Sequence, residues 1–123
     1  MTGGIMARVL LVGYIPELLR ESERTLRAAG YEVTFAPSVA IASAAIEHQV
    51  FDVALLSFSV PEQDRNGLAR ALKSAQPPSK ILMTYFASVK NTELADALLP
   101  TTASADEVLR AVNYLLRDNE KTG

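Results

Sequence analysis

The apolar positions fall into short blocks between polar punctuation, and the blocks follow two periods. Val9-Leu10-Leu11-Val12 and Val53-Ala54-Leu55-Leu56 are unbroken apolar runs, the pattern of strands buried on both faces. A strand without alternation needs cover on both sides, as in the middle of a parallel sheet flanked by helices. Tyr31-Glu32-Val33-Thr34-Phe35 alternates and is rich in β-formers, which predicts a second strand nearer an edge. Lys80-Ile81-Leu82-Met83-Thr84 predicts a fourth strand, and Leu98-Leu99-Pro100 a short fifth.

Helical spacing fills the intervals. Pro16 suits a first helical turn, where its missing N–H costs nothing. Leu18, Leu19, Ser22, Leu26 and Ala29 then recur on one face, while Arg20, Glu23, Arg24 and Arg27 mostly face water. Gly30 ends that helix as a left-handed cap. Ser38 is an N-cap for a second helix, Val39 to His48. A third is expected from Gly67 to Ala75, with Leu68 and Leu72 inward, stopped by Pro77-Pro78. A short fourth is expected from Asn91 to Ala97. Ser104-Ala105-Asp106-Glu107 matches a capping box and opens a fifth, carrying Val108, Leu109, Val112, Leu115 and Leu116.

Five strands alternating with five helices predict an α/β fold, a doubly wound parallel sheet in three layers. The flavodoxin-like strand order is 2-1-3-4-5, with the functional crevice between the ends of the first and third strands. That order makes Gly13, Tyr14 and Ser57 neighbours.

Length and composition narrow the function classes. With 123 residues, 49% apolar and 21% charged, the chain is one ordinary globular domain. We expect a flexible leader over 1–6, the domain over 7–117 and a polar tail over 118–123. A net charge of −2 suggests no bulk attraction to nucleic acid. The absence of cysteine rules out thiolate metal sites and fits a reducing, cytoplasmic compartment. His48 is the single histidine, so no histidine metal cluster is possible. No apolar run approaches the roughly 20 residues that span a bilayer, and no signal peptide is evident.

Taken in order and spacing, several features resemble the receiver domain of response regulators (CheY-like) over nearly the whole chain. They are Val9-Leu10-Leu11-Val12 followed by Pro16-Glu17, Gly30-Tyr31-Glu32-Val33, Phe51-Asp52-Val53-Ala54-Leu55-Leu56, Pro61, Thr84 and the capped last helix. The resemblance implies five site positions. The acidic pair falls on Gly13 and Tyr14, and the phosphoacceptor aspartate on Ser57. The hydroxyl residue falls on Thr84, and the lysine on Thr101, to within one residue of alignment. The fifth-strand aromatic switch position falls on Leu98. Only Thr84 keeps the family's residue type.

Phosphoryl transfer needs a carboxylate nucleophile, a Mg²⁺ bridging phosphoryl oxygens and a cation that absorbs developing charge. Magnesium dehydrates reluctantly and is anchored by carboxylates, which Gly13, Tyr14 and Ser57 do not offer. A serine hydroxyl without an adjacent base is a weak nucleophile. The expectation is therefore a pseudo-receiver: a non-enzymatic two-component-type signalling module with Mg²⁺ binding lost, acting by protein–protein contact. A histidine kinase or effector is the expected kind of partner, with self-association through the fourth- to fifth-helix face as an option. Two alternatives stay open. One is a phosphorelay receiver using Ser57 or a nearby acid as acceptor, and the other a flavodoxin-like small-ligand-binding protein.

Each candidate has an ordinary reading beside the sharper one. Ser57 is a small hydroxyl filling a vacated pocket, or a serine-kinase target. Tyr14 plugs the crevice, or is a plain loop tyrosine. Thr84 is a packed strand-end threonine, or part of a coupled switch. Asp52, Glu62 and Asp64 are solvated loop acids, or gather a cation. His48 is an exposed helix-end residue. Gly13 alone is too little for a nucleotide loop. Tyr114 is an apolar surplus on the last helix, available to an interface.

Overall fold

The computed structural model describes residues 7–85 and 92–122. The expected leader over 1–6, the start of the expected fourth helix at Asn91 and the final Gly123 lie outside them. In chain order the elements are β1 (Arg8–Val12), a 3₁₀ turn (Pro16–Leu18), α1 (Arg20–Ala28), β2 (Glu32–Ala36), α2 (Val39–His48) and β3 (Val53–Leu56). Then come α3 (Glu62–Lys73), β4 (Lys80–Tyr85), β5 (Ala97–Pro100) and α4 (Ala105–Thr122). All strand pairs are parallel, in the order β2-β1-β3-β4-β5.

Side-chain alternation along the central strands feeds two separate cores. Leu10, Val12, Ala54, Leu56, Ile81 and Met83 pack with Ala42 of α2 and with Leu68, Ala69 and Leu72 of α3. Val9, Leu11, Val53, Leu55 and Leu82 pack on the other face, with Leu26 of α1 and with Val108, Val112 and Leu115 of α4. The unbroken apolar runs are thus what a sheet covered on both faces requires. Hydrophobic burial on both sides, at about 25 cal/mol per Å², is the main force holding the three layers together.

The helix ends follow local chemistry. Gly30 has φ +100°, a conformation that costs a β-carbon-free residue little. The Ser38 hydroxyl accepts from the Ile41 amide at 3.2 Å. At α4 the Ser104 amide donates to Glu107 Oε1 at 2.8 Å, and the Glu107 amide donates back to Ser104 Oγ at 3.1 Å. The hydrogen bond donated by the Ser104 amide is the main cause of a Glu107 carboxyl held below its usual range.

Three expectations need correction. The fold has four α-helices among the described residues, not five. Residues 92–96 form a turn, closed by the Ala95 amide donating to Thr92 O at 3.0 Å. Asp96 prevents a helix there, because it is drawn into the sheet. Its amide donates to Ile81 O at 2.7 Å, and its carboxylate accepts from the Ile81 amide at 2.7 Å and from Lys73 Nζ at 2.5 Å. Second, α3 begins at Glu62 and not at Gly67, with Pro61 at the N-cap and the Arg65 amide donating to Pro61 O at 2.8 Å. Glu62 and Asp64 in its first turn favour that start through the helix dipole. Third, Leu18 and Ala29 are exposed: the first turn after β1 is 3₁₀ and rotates Leu18 outward, and Ala29 lies past the end of α1 as its C-cap.

Candidate functional site: the cleft at the ends of β1, β3 and β4

Val12 pairs in register with Leu56, which sets Gly13 and Ser57 side by side at the carboxyl edge of the sheet. A β-carbon on Gly13 would lie 3.2 Å from Ser57 Cβ and 2.7 Å from Leu19 Cδ1. Leu19, only 5% exposed, therefore occupies the space that a side chain at position 13 would need. The 3₁₀ turn delivers it there, with the Leu19 amide donating to Pro16 O at 3.0 Å.

Ser57 is 2% exposed, with its backbone groups and hydroxyl oxygen bonded. Its amide donates to Val12 O at 2.9 Å, and its carbonyl accepts from the Val60 amide at 3.0 Å. Its Oγ accepts from the Ser59 amide at 3.3 Å and from Ser59 Oγ at 3.2 Å. Ser59 Oγ accepts in turn from the Tyr14 amide at 2.9 Å. Across the sheet, Thr84 Oγ1 accepts from the Phe58 amide at 2.9 Å and so ties β4 to the β3 loop. Thr101, just after β5, donates its amide to Tyr85 O at 2.9 Å.

Tyr14 turns to the opposite side of the sheet. Its ring packs against the α2/α3 core, and its hydroxyl donates to Asp64 Oδ2 at 2.9 Å. Desolvation, then the hydrogen bond to Asp64 and that carboxylate's charge, raise the phenol above its ordinary value; the Val39 backbone opposes them. Asp64, one of the candidate cation ligands, is thereby committed to a tyrosine. Asp52 sits at the far end of β3, where its carboxylate accepts from the Arg8 amide at 2.8 Å. Exposed His48 donates from Nδ1 to Ala44 O at 2.7 Å, within its own helix.

On the α1/α4 side, Ser57, Thr84 and Thr101 share a cleft of about 210 Å³. Its other walls are Leu18, Leu19, Ser22, Leu55, Phe58, Pro100, Ala103 and Val108. Among the described residues, no wall residue carries a charge. Leu98 and Tyr114 stand apart from the cleft, exposed on β5 and α4. Of the site positions carried over from the resemblance, then, the cleft unites Ser57, Thr84 and Thr101. Gly13 lies behind Leu19, and Tyr14 faces the other core.

Leu19, Ser59 and Ser22 are site residues that sequence reasoning missed. A glycine at a strand tip followed by Leu18-Leu19 in the next turn was the available signal for Leu19. Ser59 carried none, since its role depends on how the β3 loop folds back.

The described residues at this edge lack the carboxylates that usually anchor a magnesium ion. Hydroxyls and backbone groups line the place where carboxylates would be needed, and a carboxylate at position 13 would collide with Leu19. Among the described residues, no group of three or more His, Asp or Glu side chains is placed to hold a metal. No helix among them is long and apolar enough to cross a membrane.

No protein-family model and no curated protein matches the chain. Solved structures do. A response regulator receiver domain protein (CheY-like) from Methanospirillum hungatei JF-1 is 28% identical, with a TM-score of 0.83 over 97% of this chain and 100% of that one. The chemotaxis response regulator CheY4 of Vibrio cholerae is 22% identical, with a TM-score of 0.77 over 90% of this chain and 99% of its own. A response regulator receiver domain protein from Clostridium thermocellum, 16% identical, reaches a TM-score of 0.80 over 96% of this chain and all of that one. The strand order, the two-sided core and these likenesses together give the chain the CheY-like fold of a response-regulator receiver domain.

Proposed function

We infer that the protein is a cytoplasmic, non-catalytic signalling module of the receiver type that works without phosphoryl transfer. The observation that carries this reading is that no charged side chain among the described residues lines the cleft at the tip of β3. Ser57 is buried among hydroxyls and amides, Leu19 covers Gly13, and Thr101 supplies no ammonium. Phosphoryl transfer draws its rate from positioned charge, and the described residues of the cleft walls bring none. Loss of Mg²⁺ binding belongs to the same reading.

Output then runs through protein contact with a histidine kinase or an effector. The self-association face expected between a fourth and a fifth helix loses its fourth helix over residues 92–96. Exposed Leu98 and Tyr114, on β5 and α4, remain as contact residues for a protein partner. A switch of this kind needs a ligand with different affinity for two states, and here that ligand is not acyl phosphate.

Incubation with acetyl phosphate and Mg²⁺, followed by intact-mass measurement, tests the reading. The expected spectrum shows unmodified protein. A stoichiometric gain of about 80 Da, the mass of one phosphoryl group, would overturn it and favour Ser57 or a nearby acid as acceptor.

A further inference from the structure

We propose that the cleft beside Ser57 binds a small uncharged molecule bearing a hydrogen-bond acceptor, of the aryl ketone or ester class. Size sets the first limit. A cleft of about 210 Å³ exceeds the roughly 150 Å³ of an apolar cavity that admits benzene and falls below a drug-sized pocket. It holds roughly eight to ten non-hydrogen atoms on that scale.

Charge sets the second limit. Leu18, Leu19 and Val108 form an apolar wall, and no Lys, Arg, His, Asp or Glu among the described residues joins the lining. An ion entering such a place gives up hydration without gaining a counter-charge, whereas a neutral molecule pays little.

Hydrogen-bond polarity sets the third. Ser57 Oγ accepts from the Ser59 amide and hydroxyl, and Thr84 Oγ1 accepts from the Phe58 amide. Both acceptor sites of Ser57 Oγ are used in this way, which leaves its proton to donate, while Thr84 Oγ1 accepts a single bond and can donate as well. A carbonyl or ester oxygen suits such donors. Leu18, 50% exposed, marks the mouth, and the apolar part of the ligand lies against it and Leu19. The inference goes beyond the signalling reading, since neither the pocket nor its ligand depends on what the module contacts.

The test is an amide NMR titration of the full 123-residue chain with acetophenone, set against benzoate and benzylamine as charged compounds of similar size. Acetophenone is expected to give saturable shifts at the amides of Ser57, Phe58, Thr84 and Thr101, with a Kd of about 1 mM or tighter. The two charged compounds should bind at least about tenfold more weakly. Thr84→Val, which keeps the volume and removes one donor, should weaken acetophenone about fivefold. Ala103→Phe, which fills the cleft, should abolish the shifts, with circular dichroism confirming the fold. If the filled variant unfolds, the charge discrimination and Thr84→Val decide. Absent or non-saturable shifts, shifts centred away from the cleft, or benzoate binding as well as acetophenone would each overturn the proposal. Acetyl phosphate reactivity is a separate readout, so failure here leaves the signalling reading to its own test.

Discussion

Ser57→Asp, which puts back the residue type expected at the tip of β3, should destabilise the protein instead of reviving it. Against the uncharged isostere Ser57→Asn, we expect a loss of about 2 kcal/mol at pH 8, measured by urea unfolding. The site is 2% exposed, and its polar surroundings are Ser59 and the threonine hydroxyls, with no cation beside it among the described residues. A buried carboxyl without a counter-charge titrates above its ordinary value of about 3.9. The sign of the pH dependence follows. At pH values between the unfolded and folded pKa, the folded protein holds a proton that the unfolded chain has lost. Stability therefore falls as pH rises from about 4 through the folded pKa, then levels off. The two variants should converge near pH 4. Equal stability at pH 8, or rescue of Ser57→Asp by millimolar Mg²⁺, would show a compensating charge that the described cleft walls do not contain.

Leu19→Ala is the second large effect. Leu19 is almost fully buried, belongs to the α1/α4 core and presses its δ-methyl into the space over Gly13. Removing it should cost about 2–4 kcal/mol, the usual range for truncating a core leucine. The more informative result is coupling. Gly13→Ala alone forces the Leu19 side chain to move, because the new methyl would lie 2.7 Å from Cδ1. With Leu19 already truncated that conflict vanishes, so the double variant should be more stable than the sum of the singles by about 1 kcal/mol. Strict additivity would mean that Leu19 does not guard position 13.

The parts of the fold that rest on short-range rules could be read from the chain. Two-sided burial of Val9–Val12 and Val53–Leu56 set the sheet type, and Gly30, Ser38 and the Ser104–Glu107 pair marked helix ends through chemistry confined to a few residues. The short helix expected from Asn91 failed for a long-range reason. Asp96 bonds both backbone groups of Ile81 and pairs with Lys73 of α3, contacts that no local pattern announces. The start of α3 at Glu62 was hidden by Gly67, which reads as a boundary yet sits exposed inside the helix. At the cleft, the residue types at positions 57, 84 and 101 were legible, and so was the lack of charge among them. Two things were not: that Leu19 occupies the volume over Gly13, and that Tyr14 leaves the crevice for Asp64. Both depend on which face of the sheet a loop side chain takes, and that is decided by packing.

The claim underlying this reading is that the carboxyl edge of the sheet offers a divalent cation nothing to hold. Titration of the protein with Mg²⁺ to about 20 mM, with beryllofluoride present and amide NMR signals of Gly13, Tyr14 and Ser57 followed, measures it directly. The expected result is no saturable shift at those amides. A saturable response there with a Kd in the low millimolar range or below would contradict it.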